Sequence, residues 1–114
     1  MSLFSERETA FEEQFAREEE VAFLLRVARE RRFGLWAATR MGLDEQAGPA
    51  YARSLVEAAV RGDTEAQIVA RVQRDLGAAG VMATPNELGQ AMTLANEGAR
   101  RQIVGADPEA SGTG

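Results

Sequence analysis

Seven glutamates stand within the first twenty residues, at positions 6, 8, 12, 13, 18, 19 and 20. Carboxylates at that density can ligate a hard divalent metal, or work as a general acid and base. Either chemistry normally has company, and this chain supplies little. Its 114 residues include no His, no Cys and no Lys. The common general base, the thiol nucleophile and the thiolate zinc site are therefore excluded, as are a Schiff base and a Walker-type phosphate loop. The Glu-x-x-His arrangement of di-iron bundles cannot form. Acidic pairs on an exposed helix are ordinarily solvated. No catalytic residue and no metal ligand is assigned, and the expected function is binding, not catalysis.

A second charged group follows the first. Arg26, Arg29, Arg31 and Arg32 crowd one short stretch. Guanidinium groups there can pair with nearby carboxylates such as Glu30, or meet an acidic protein surface or a nucleotide phosphate. The overall balance argues against nucleic acid. Residues 3–20 carry a net −5, the same as the whole chain, so the remainder is neutral. Neutralising a phosphate backbone needs a net basic footprint. Exposed glutamates titrate mostly below about pH 5.5. With no histidine, the helix content and association state of the isolated protein are expected to be flat between pH 6 and 8.

Aromatic residues are interleaved with the acidic ones. All five phenylalanines lie in the first 33 residues. On a helix turning about 100° per residue, Phe4, Phe11, Phe15 and Ala22 share an arc of only about 40°. Such a narrow stripe on a charged rod suits an anchor set for one partner groove. The same pattern also suits a helix that folds back onto its own core. From Val21 to Ala28 apolar side chains point almost all round, which predicts burial. The character of the helix thus changes near residue 20.

The elements that position these residues follow from punctuation. Ser5 and Glu8 have capping-box spacing, and no proline interrupts the chain before Pro49, so a long first helix is expected, ending at Gly42. Gly34 is a point for a kink or for close approach of a neighbour. A second helix lies within residues 44–61, begun by Asp44 or by Pro49 in its first turn, and closed by Gly62. Thr64 with Gln67, and Thr84 with Pro85 and Glu87, begin a third and a fourth helix. Ile68, Val69, Val72, Leu76 and Ala79 share one face of the third. Leu88, Ala91, Met92, Ala95, Ala99 and Ile103 share one face of the fourth. No strand pattern and no repeat appears. The fold class is all-α: a four-helix bundle over residues 21–104, an N-terminal helical arm over 1–20, and a disordered tail over 105–114. Leu25, Leu35, Trp36, Tyr51, Val72, Leu76 and Met92 are assigned to the core. No apolar run approaches the ~18 residues of a membrane span and the N-terminus shows no basic-then-apolar signal-peptide pattern, so a cytoplasmic protein without direct membrane insertion is expected.

The stretches "RETAFEEQFAREEEVAF" (7–23), "FGLWAATRMG" (33–42), "AYARSLV" (50–56) and "VQRDLGAAGV" (72–81) resemble the zeta subunit family, inhibitor proteins of alphaproteobacterial F-type ATP synthases. The resemblance covers about residues 4–104. It departs from the family's usual pattern at Arg17 and Glu18, at Thr39 and Arg40, and at Gly48–Pro49, which bears on strength of inhibition more than on fold. It implies a monomeric free protein whose arm enters between the catalytic α and β subunits near the γ stalk and blocks ATP hydrolysis. Phe4, Arg7, Phe11, Glu12, Phe15, Arg17 and Glu19 would then be the contact residues. It implies no required cofactor, although it raises weak adenine nucleotide binding to the bundle, with no nucleotide-binding residue assigned. The rival reading is a nucleotide-sensing or scaffolding bundle without inhibitory activity.

Overall fold

The structure, a computed structural model, describes residues 3–105, without the side chains of residues 3–7 and 11. The side chains of Phe4, Arg7, Phe11 and Ser5, and with Ser5 its capping pair with Glu8, lie outside that set, as does the tail from residue 106. Four helices follow one another: α1 (Leu3–Arg40), α2 (Ala47–Val60), α3 (Glu65–Ala78) and α4 (Pro85–Ile103).

Helix α1 is 38 residues long and unbroken. At 1.5 Å per residue it spans about 57 Å, most of the 65 Å long dimension of the molecule. Gly34 does not break it. A Cβ at this position would lie 2.7 Å from the Ala52 Cα and 3.1 Å from Leu55 Cδ1, so the glycine lets the α2 backbone come close. The helix stops at Gly42, whose φ of +73° is cheap only for glycine. There the Leu43 N–H donates to the Ala38 carbonyl at 3.0 Å and the Gly42 N–H to Thr39 at 3.1 Å, the Schellman pattern.

The remaining starts are held by side chains. Asp44 accepts from the backbone N–H groups of Gln46 at 3.0 Å and Ala47 at 2.7 Å, and its carbonyl accepts from Gly48 at 2.9 Å. Pro49 therefore sits within the first turn, and Asp44 does the capping. Those amide donors, Ala47 first, hold the Asp44 carboxyl below its usual range. Thr64 with Gln67 and Thr84 with Glu87 both close complete capping boxes, and Pro85 takes the first position of α4.

Helix α1 packs chiefly against α2 and α4 and touches α3 more lightly. The core joins Phe33, Ala37, Leu55, Ala59, Ile68, Val72, Leu76, Leu88, Ala91, Met92 and Ala95. Trp36 stacks on Phe33 with ring centroids 5.8 Å apart, and both Trp36 and Tyr51 lie partly buried against the cluster. The Tyr51 hydroxyl donates to Asp75 at 2.7 Å, and Arg71 donates to the Ser54 hydroxyl at 2.8 Å, tying α2 to α3.

Two sequence expectations are corrected here. Leu35 is 39% exposed instead of in the core, while its neighbours Gly34 and Ala38 are buried. It points to the side of α1 that neither α2 nor α4 covers. The apolar segment 21–28 is also largely uncovered: Ala22, Phe23 and Leu24 are exposed, Val21, Leu25 and Val27 are half-buried, and Ala28 alone is buried. The reason is reach. Counting back from the Gly34–Ala52 contact, α2 ends about 12 Å further on, level with residue 26. Beyond it, no described residue of α2 packs against α1.

Candidate functional site

The uncovered half of α1 is the most distinctive surface of the molecule. Glu8–Ala10 and Glu12–Glu20 are all exposed, so Glu12, Phe15, Arg17 and Glu19 stand on an open rod. Phe15 is 54% exposed, and Phe23 and Leu24 are each 40% exposed. One hydrogen bond of the rod is local, from Gln14 Nε2 to Glu18 at 3.4 Å. Large apolar groups held in water along a charged helix cost free energy unless a partner covers them. Sequence reasoning singled out Phe15 and missed Phe23 and Leu24, because an apolar run looks the same whether or not a neighbour reaches it.

Glu30 marks where the rod enters the bundle, and it differs from every other described carboxylate. Its side chain is fully buried. One oxygen accepts from Arg29 Nε at 2.9 Å, and Oε2 has no partner. Burial raises its pKa above the ordinary glutamate value. Arg29 and, less strongly, Arg26 pull it down, while Glu65 at the start of α3 pushes it further up. The folded state therefore holds this proton more readily than the unfolded chain. Its contribution to stability is present at low pH and is lost as pH rises from the usual glutamate range through the raised folded value. It adds a pH dependence of stability to the flat helix content and association state expected from sequence. In melting curves between pH 5 and 8, the melting temperature should fall with rising pH in the wild type, and Glu30→Gln should flatten that fall. Parallel curves for the two proteins would refute the assignment.

Elsewhere the surface offers little chemistry. An open cleft of about 590 Å³ lies between α3 and α4, lined by Ala66, Val69, Leu88, Gly89 and Met92 among others, and its one charged liner is Glu65. It presents no cation to a phosphate. No cluster of three or more His, Cys, Asp or Glu able to hold a metal occurs among the described residues. None of the described helices is long and apolar enough to cross a membrane.

Residues 1–102 match the family model for ATPase inhibitor subunit zeta. The chain belongs to that family. Comparison with curated proteins gives no match, and neither does comparison with solved structures. As a zeta subunit it is an inhibitor that acts by binding the ATP synthase, a regulatory part and not a catalytic one. The match takes in the exposed rod and the bundle together, so the apolar rod belongs to the zeta family's own domain and is not an appendage to it.

Proposed function

We propose that this zeta subunit blocks ATP hydrolysis by inserting an arm, residues 1–20, between the catalytic α and β subunits near the γ stalk, with the bundle over residues 21–104 remaining outside. The observation that carries this reading is Phe15. It is a large aromatic on a helix that its own chain leaves 54% exposed. Burying such an anchor in a protein groove stabilises a complex by a few kcal/mol, and a helix wedged in a subunit cleft prevents the closure that catalysis needs. Phe4, Arg7, Phe11, Glu12, Arg17 and Glu19 extend the contact along the same rod. The arm is the leading part of the unbroken helix α1, so it meets a groove already helical. Bound in this way, the protein is cytoplasmic and peripheral to the membrane through the enzyme alone.

Phe15→Ala tests the anchor. The exposed side chain supports no core, so the melting temperature should not move. The concentration needed to inhibit the cognate ATPase should rise by roughly 10- to 100-fold, the equivalent of about 1.4–2.8 kcal/mol. Unchanged potency would remove Phe15 from the interface.

A further inference from the structure

Because α1 is continuous, its helical register carries the face of the rod into the bundle. Positions eighteen apart return to the same line after about five turns. By that rule Ala22 is in line with Arg40, and Phe15 with Phe33. Arg40 reaches α4, where its guanidinium bonds Glu87 at 3.3 Å. Phe33 is buried in the core. The side of the rod that carries Phe15 and Ala22 is therefore the side on which α1 packs its own core and α4. A partner seated on the rod continues the line of α4.

The end of α4 then matters. The Arg32 guanidinium lies across Gly98, where an added Cβ would be 2.7 Å from Nη1, and it donates to Gln102 at 3.2 Å. From Gly98 to Val104 is about 9 Å of helix, which brings the last turn of α4 level with residue 26 of α1. A partner on Phe15 through Ala22 meets that turn end to end. The turn exposes Arg100, Arg101 and Val104, the last at 48%. Neither guanidinium has a hydrogen bond or ion pair among the described residues, and the partner of adjacent Arg32 is the neutral Gln102. Glu97 is the one carboxylate in the last two turns of α4. Guanidiniums that no described carboxylate pairs, beside an exposed valine, fit a carboxylate-bearing protein surface with an apolar spot.

We infer that the last turn of α4, through Arg100, Arg101 and Val104, is a second contact with the ATP synthase, meeting an acidic surface of the same subunit that covers the rod's phenylalanine face. This inference rests on the proposed docking of the arm. Arginines at a helix C-terminus also offset the macrodipole, so the test separates stability from binding. R100Q/R101Q and R100K/R101K are compared with wild type in the ATPase assay at low and high salt, with melting curves alongside. The glutamine pair should need about tenfold more protein at low salt, with the gap closing at high salt and largely absent for the lysine pair. Its melting temperature should shift by only a few degrees. Equal potency of the glutamine pair and wild type at low salt, or a loss that salt does not change, would overturn the second contact and leave the arm standing. Failure of wild type itself to inhibit would overturn the arm reading and this contact with it.

Discussion

Gly34→Val is expected to destabilise the bundle by roughly 2–3 kcal/mol, a drop in melting temperature of about 10–20 °C for a domain of this size. A Cβ at this position would meet the Ala52 backbone at 2.7 Å, and backbone cannot rotate away as a side-chain tip can. Relief requires α1 and α2 to separate, which loosens Leu55 and the buried alanines of the same interface. Helix propensity alone predicts that replacing a mid-helix glycine helps. Gly89 isolates that term, since it lies on the exposed side of α4 and an added Cβ there meets nothing within 4 Å. Gly89→Ala should stabilise by about 0.5–1 kcal/mol. Thermal melts followed by circular dichroism check both. If Gly34→Val melts with the wild type, the close approach of α1 and α2 is wrong.

These two glycines show what can be read from sequence and what cannot. Helix ends were legible because their signals are local: Thr64 with Gln67 and Thr84 with Glu87 need only each other, and Gly42 needs only its own backbone freedom. Faces of α3 and α4 were legible because each helix buries one stripe, as Ile68, Val72 and Leu76 show. The sequence left Gly34 open between a kink and a close approach, and only a distant segment placed beside it decides for the approach. The same limit hid Glu30, whose burial depends on helices far along the chain, with Glu65 among its charged neighbours. It also hid the true reach of the bundle along α1, since segment 21–25 is apolar but the lengths of α2 and α4 decide whether it is covered. Phe15 stood out in the sequence because its spacing and its acidic neighbours stand in one helix, and its side chain is exposed.

The second large effect concerns the arm. Removing residues 1–19 should abolish inhibition while the bundle keeps its melting temperature within a few degrees. The described side chains of that segment are exposed and no described core residue precedes Ala28, so the deletion removes no buried packing among the described side chains. It does remove the phenylalanine stripe and six of the seven N-terminal glutamates. Losing every anchor of an interface costs far more than the few kcal/mol of one, which places residual binding beyond useful concentrations. A truncated protein that unfolds at markedly lower temperature would mean that the arm belongs to the core.

The most direct test is a side-by-side titration of ATP hydrolysis by the cognate enzyme with the full chain and the chain lacking residues 1–19, both shown to be folded. The account predicts that the full chain suppresses hydrolysis in a saturable manner and that the truncated chain has no effect at any concentration reached. Equal suppression by the two proteins would place the inhibitory surface on the bundle and contradict the account.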